Sequence, residues 1–302
     1  MNETEYDYLR KFLLDSSGLS LDDQKQYLVE ARLIPLVKTW GLTNISEIVI
    51  ELRRNNSVLA NAVTEAMTTN ETSFFRDKTP FEEFKSLMLP KILAERATRR
   101  HLRIWVAAAA TGQEPYTLAM LLRDSFPELI DWRIEIIATD ISPQVLERAR
   151  LGIYSQFEVQ RGLPIQLLMK HFDEVKDGWQ VKEELRRSID WRELNLLQDF
   201  SHLGRFDVIF CRNVLIYFQV DTKKVILDRM ATMLPADGYL MMGAAETVIG
   251  ITETFGRVNE CRAAVYAPDY SGQSLGLRTD SDQLPTPAAL LREATAKAPV
   301  AE

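Results

Sequence analysis

From residue 102 onward the chain alternates short apolar runs with amphipathic stretches, and no other feature restricts its fold as strongly. The runs are "LRIWVAAAA" (102–110), "WRIEIIATD" (132–140), "SIDWRELNLL" (188–197), "FDVIFCRN" (206–213) and "YLMMGAAE" (239–246). Strands of a parallel sheet are covered on both faces, so they read as continuous hydrophobic stretches rather than as polar–apolar alternation. Between them lie helix signals. Pro115 falls in the first turn of "EPYTLAMLLRDSF", and Ser142 with Pro143 opens "SPQVLERARLG". This rhythm predicts an α/β fold with a doubly wound, mostly parallel sheet over 102–268. "FGRVNECRAAVYAP" (255–268) supplies its last strands. Residues about 154–190 break the rhythm with β-like pieces around an Asp-Gly turn, which predicts a small inserted β-subdomain.

Residues 1–76 carry helical periodicity only. Tyr6, Leu9 and Leu13 share one face before a Ser-Ser-Gly stop. A second helix is expected to start at Ser20 and to close at Gly41, with a kink or break at Pro35. Residues 77–101 read as a helix and linker into the sheet. Beyond Pro268 the chain is rich in Ser, Pro and Ala, and a disordered tail is expected over 269–302.

The totals exclude several classes. With 46% hydrophobic and 26% charged residues, the 302-residue chain has ample material for a core. The net charge of −7 provides no global basic field for nucleic acid or an anionic membrane. There is no apolar run of about 18 residues, so no spanning helix is expected. The opening "MNETEYDYLRKF" is unlike a secretory leader, which points to the cytoplasm. Cys211 and Cys261 lack metal or redox spacing, and the three histidines are scattered, so no metal is expected.

Ligands of doubly wound sheets bind at the carboxyl ends of the strands. After the first strand, "AAAATGQEPY" offers small residues that let backbone approach a ligand. It has neither GxGxxG nor a Lys-Ser/Thr pair for a triphosphate. Glu114 and Asp140 would repel phosphates and suit a ligand with hydroxyls and a positive charge. Asp140 stands where an acid commonly holds a ribose hydroxyl. Asn195 and Leu196 follow the third strand, where they suit an adenine edge. Cys211, Arg212 and Asn213 follow the fourth. A ribosylated, cationic, phosphate-free ligand describes S-adenosylmethionine, with NAD as the alternative. Plainer roles stay open: Asp140 and Glu114 as helix-start residues, Asn195 in a turn, Cys211 as a small buried hydrophobe. "NETSFFRD" (70–77) is open in the same way. Thr72 or Ser73 could cap a helix while Phe74 and Phe75 enter a core and Arg76 is solvated.

"NETSFFRD", "AAAATGQEPYTLAM", "ATDIS", "LERARLGIY" and "IFCRNVLIYF", in this order, resemble the CheR-type chemotaxis receptor methyltransferases. The resemblance spans residues 5 to 268. It implies a Rossmann-like class I methyltransferase domain with an inserted β-subdomain, preceded by an all-helical domain. It implies methyl transfer from S-adenosylmethionine to glutamate side chains on the cytoplasmic helical domain of chemoreceptors, by a monomer with no nucleic-acid partner and no membrane insertion. Carried over by position, Asn70, Thr72, Arg76, Glu114, Asp140, Asn195, Leu196, Cys211, Arg212 and Asn213 would contact the cofactor. Arg76 and Tyr217 would lie nearest the transferred methyl, and "NETSFFRD" would form a lid. "GAAET" (243–247) departs from the family's commoner Gly-His-Ser-Glu-Asn, so no role is carried over to that strand end.

Overall fold

The computed structural model describes residues 1–269; the tail expected beyond them lies outside the described residues. A seven-stranded sheet has the order β6-β2-β1-β7-β8-β10-β9. Its strands are β1 (His101–Ala107), β2 (Arg133–Asp140), β6 (Ile189–Glu193), β7 (Val208–Cys211), β8 (Tyr239–Met242), β9 (Phe255–Arg257) and β10 (Val265–Pro268). The β6, β2, β1, β7 and β8 pairings are parallel, and β10 runs antiparallel between β8 and β9. The chain order reverses between β1 and β7, so the crevice expected of a doubly wound sheet opens at their carboxyl ends.

Period-two side-chain alternation explains why both faces are covered. Leu102, Ile104 and Val106 of β1 enter one core, with Phe81, Phe84, Tyr116 and Phe210. Trp105 and Ala107 enter the other, with Phe200, Leu227 and Met230. The intervening helices include α7 (Gln113–Ser125), α8 (Pro143–Leu151) and α12 (Val220–Thr232).

Four helices precede the sheet: α1 (Glu3–Ser17), α2 (Gln26–Thr39), α3 (Ile45–Arg53) and α4 (Ser57–Met67). They share a separate apolar core. Asn2, Asn44 and Asn56 cap α1, α3 and α4, each accepting a hydrogen bond from the third helical N–H. One expectation is corrected: α2 begins at Gln26 rather than at Ser20; of the kink or break expected at Pro35, the break is absent, the helix running on to Thr39. The Ser20 backbone N–H donates to the Tyr217 carbonyl at 3.0 Å, which ties this loop to the segment after β7. Two further helices, α5 (Thr79–Glu83) and α6 (Leu89–Glu95), are joined by a wider turn over Phe84–Met88 and lead into β1.

The insertion is a three-stranded antiparallel sheet, β3 (Ile153–Tyr154), β5 (Gly178–Val181) and β4 (Phe172–Val175), with α9 (Gln156–Gln160) and α10 (Ile165–His171). It braces "NETSFFRD". Phe74 is fully buried and packs edge-on against Tyr154 at 5.0 Å and Phe172 at 5.7 Å. Between α9 and α10, Gly162 has φ +96°, and a Cβ there would fall 2.1 Å from the Phe74 carbonyl oxygen. Only glycine fits so close to that backbone. Gly162→Ala is expected to cost about 1–3 kcal/mol through positive-φ strain and displacement of residue 74. Thermal denaturation followed by circular dichroism measures it; an unchanged midpoint would refute the brace. The neighbouring Arg161–Glu71 pair is exposed and contributes little.

Candidate active site

The cleft at the strand ends is built from strained backbone. Among the described residues, eight non-glycine positions have positive φ; Ala108, Ala110 and Asn213 line the cleft, and Phe75, Asp77 and Lys78 flank Arg76, which also lines it. Such conformations cost of order 1–3 kcal/mol each and persist only where surrounding contacts impose them. The contacts are visible. The Phe75 N–H donates to Thr117 Oγ1 of α7 at 3.2 Å, and the Ala110 N–H donates to Asp140 Oδ2 at 2.9 Å. "NETSFFRD" is therefore a turn rather than a helix start. The helix begins only at Thr79, so the capping role of Thr72 or Ser73 is not realised.

Most of the lining draws on four places. Asn70, Glu71, Thr72 and Arg76 come from this turn, and Ala108–Ala110 and Glu114 from the β1–α7 junction. Asp140 with Ile141 closes β2, and Arg212, Asn213, Val214, Tyr217 and Phe218 follow β7. Of the residues singled out from sequence, eight come together here: Asn70, Thr72, Arg76, Glu114, Asp140, Arg212, Asn213 and Tyr217. Asn195, Leu196 and Cys211 lie outside the lining. The Asn195 Nδ2 donates to the Ser16 carbonyl at 2.7 Å, and its Oδ1 accepts from the Leu197 N–H, so its amide serves the junction with α1. Leu196 is packed in the second core. Cys211 is fully buried there too, and burial above all pushes its thiol up. It acts as a small hydrophobe.

Charge is arranged around Arg212. Its side chain is 1% exposed. The guanidinium pairs with Glu114 through Nη1. Through Nη2 it donates to Asp77 at 2.8 Å and to the Arg76 carbonyl at 3.0 Å. Phe81 lies under it at 5.4 Å. Glu114 is therefore not the unpaired acidic wall the sequence suggested. Overall the lining sets three carboxylates, Glu71, Glu114 and Asp140, against two guanidiniums.

Asp140 is buried, and desolvation pushes its carboxyl up against the opposing pull of the Ser142, Ala110 and Ile141 backbone. Each oxygen already accepts one N–H, Ala110 at 2.9 Å and Ser142 at 3.0 Å. A carboxylate has about four acceptor positions, so two remain for hydroxyls. Arg212 Nε is buried and lacks a hydrogen-bond partner. These groups fit S-adenosylmethionine: a free acceptor pair for a ribose, alanines that permit close approach, an orphaned donor for a carboxylate, and net negative walls for a sulfonium.

Sequence reasoning missed the contribution of the helical domain. Ser17, the last residue of α1, Leu19 in the α1–α2 loop, Met67, the last residue of α4, and Thr68 and Thr69 after it also line the cleft. Glu65 of α4 accepts hydrogen bonds from Ser142 Oγ and, at 3.1 Å, from the Gln144 N–H, so it caps the helix that follows Asp140. The Ser-Ser-Gly stop signalled a helix end and nothing about what lay across from it.

Residues 4–68 match the all-alpha domain of CheR methyltransferases, and residues 70–264 match the CheR methyltransferase S-adenosylmethionine-binding domain. The chain is 40% identical over 260 residues to chemotaxis protein methyltransferase 1 of Vibrio cholerae, covering 84% of this chain and 93% of that one. It is 38% identical over 267 residues to chemotaxis protein methyltransferase 1 of Pseudomonas aeruginosa, with 87% and 97% covered. With the chemotaxis protein methyltransferase of Salmonella typhimurium, identity is 34% over 262 residues, covering 84% and 88%. Two successive domain matches and near-complete coverage of these relatives make the chain a member of the CheR methyltransferase family, with S-adenosylmethionine as its cofactor.

Proposed function

We propose that this methyltransferase esterifies glutamate side chains on the cytoplasmic helical domain of chemotaxis receptors. One observation carries the reading: two donors with free N–H and O–H groups stand in a cleft whose carboxylates, Glu71, Glu114 and Asp140, are each already held by a partner. Arg76 donates through Nη1 to the Glu71 carbonyl at 2.8 Å. Its other N–H groups and the Tyr217 hydroxyl have no partner among the described residues, and both side chains face the cleft lining that includes Asp140. No histidine or cysteine belongs to that lining. An amine or alcohol acceptor would need a proton removed. A glutamate, with an ordinary pKa of about 4.3, arrives ionised at neutral pH and needs only to be held.

When bound, S-adenosylmethionine supplies a methyl group on a sulfonium leaving group. The chain's own residues bind and orient. In this reading Asp140 accepts from the ribose hydroxyls, and Arg212 Nε, with Asn70, Thr72 and Asn213 nearby, receives the amino-acid end. Arg76 and Tyr217 hold the incoming carboxylate so that one oxygen points along the bond to be formed. Alignment of this kind is worth several powers of ten in rate. A grip that is too firm would stabilise the ground state instead, which favours two partial contacts over a fully buried ion pair.

Arg76→Ala is expected to lower turnover about tenfold or more while leaving the melting temperature within a few degrees, since Arg76 has one hydrogen bond to lose. Tritiated-methyl transfer to receptor cytoplasmic fragments measures turnover, and base-labile methanol release identifies the carboxyl ester. Parallel losses of stability and activity would return Arg76 to a structural role. Cofactor binding by calorimetry without methyl release from any receptor fragment would overturn the enzymatic reading.

A further inference from the structure

The segment that follows β7 must leave the sheet, turn sharply and present Arg212, Asn213 and Tyr217 within six residues. Asn213 adopts φ +58° to do so, and the turn leaves its backbone N–H groups without ladder partners. A single buried side chain collects them. One oxygen of Glu246 accepts from the Asn213 N–H at 2.7 Å and from the Gly243 N–H at 2.8 Å. The other accepts from Val214 at 3.0 Å and from Ile216 at 3.3 Å. All four acceptor positions of the carboxylate are thereby used, each on backbone. Ile216 immediately precedes Tyr217, whose carbonyl is fixed from the opposite side by the Ser20 N–H. Gly243 makes the approach possible: a Cβ there would lie 2.7 Å from the Glu246 carboxylate and 2.8 Å from the Asn213 nitrogen.

We propose that Glu246 is the positioning residue for methyl transfer, setting the place of the Tyr217 hydroxyl through three backbone N–H groups of the turn, with the Gly243 N–H holding the carboxylate itself in place. The inference rests on the reading that Tyr217 orients the acceptor. Glu246 touches neither substrate nor cofactor in this account; it acts only through the turn. Nothing in "GAAET" calls for this negative charge except that turn.

Glu246→Gln tests it with little change of shape. The amide places an NH₂ group against two N–H donors, so two of the four bonds are lost. Turnover per folded molecule is expected to fall about tenfold or more, with the acceptor KM and the cofactor Kd each within about threefold of the parent. Combined with Tyr217→Phe, it should slow the enzyme no further than Tyr217→Phe alone, because both act at one hydroxyl. In the protein without cofactor, amide exchange at Asn213, Val214 and Ile216 should speed up while β7 and β8 stay protected. If Glu246→Gln does not fold, Glu246→Asp, which keeps the charge on a shorter arm, is measured by the same turnover and exchange readings. Unchanged turnover, or losses that multiply in the double variant, would overturn the proposal. Parent-like turnover of Tyr217→Phe alone would overturn the underlying reading of Tyr217 instead.

Discussion

Arg212→Met is expected to yield a chain that has lost cofactor binding and melts about 10 °C lower. The guanidinium is buried and holds three groups at once: the Glu114 carboxylate, the Asp77 carboxylate and the Arg76 carbonyl. Methionine can fill the space over Phe81 but supplies no donor. Glu114, itself buried, is then left without a counter-charge. Breaking a buried pair from one side costs about 3–5 kcal/mol, most of it the penalty of the stranded charge. For domains of this size that corresponds to roughly 6–20 °C in melting temperature. The turn at 75–78, with three residues at positive φ, also loses the tie that joins it to β7. Arg212→Lys should recover only part, because a point charge cannot reach three partners that the planar fork reaches together. Arg212→Met combined with Glu114→Gln should regain most of the stability and none of the binding. Scanning calorimetry and titration calorimetry with S-adenosylmethionine separate the two effects. A parent-like melting point for Arg212→Met would show that Glu114 is better solvated than its burial indicates.

The sheet was readable from sequence because its strands are covered on both faces, so that "LRIWVA" and "VIFC" could hardly be anything else. The Asn44 and Asn56 caps of α3 and α4, each three residues before the N–H it accepts from, went unread although their signal is local. Reading failed where a local signal was spent on a distant partner. Ser20 has capping chemistry, yet α2 starts six residues later, and the backbone at Ser20 is tied instead to the Tyr217 carbonyl, nearly 200 residues on. Thr72 and Ser73 resemble a helix start. The turn they enter is held instead by Thr117 and Arg212, and the Arg212 contact spans 136 positions. Glu246 is the sharpest case. One glutamate among alanines has no periodicity to interpret, and three of its four donors lie 30 to 33 residues earlier in the chain. The residue types that could meet a cofactor were therefore visible. What held them at the cleft was a set of tertiary bonds with no local trace, and another such bond draws Asn195 towards Ser16.

Asp140→Ala is expected to weaken S-adenosylmethionine binding about a hundredfold or more while the sheet remains intact. β2 delivers this carboxylate to the cleft with one acceptor position on each oxygen already filled by backbone, which fixes its plane. The two positions left are those a pair of adjacent ribose hydroxyls would use. Hydrogen bonds to a charged group contribute about 1.5–3 kcal/mol each, and the loss of two corresponds to roughly two to four powers of ten in Kd. Asp140→Asn should be intermediate, since its NH₂ must face either the Ala110 or the Ser142 N–H. The sign of the pH effect follows from burial, which raises the Asp140 carboxyl above its ordinary value. Bound hydroxyls favour the anion, so affinity is complete above the raised value and declines as pH falls through it. The decline should begin at higher pH than an exposed aspartate, with its usual pKa of about 3.9, would give. Titration calorimetry from neutral to mildly acid pH, with Asp140→Asn as the reference, isolates this group from the ligand's own ionisations. A parent curve that stays flat where the Asp140→Asn curve is flat would mean that the ribose is held by something other than this carboxylate.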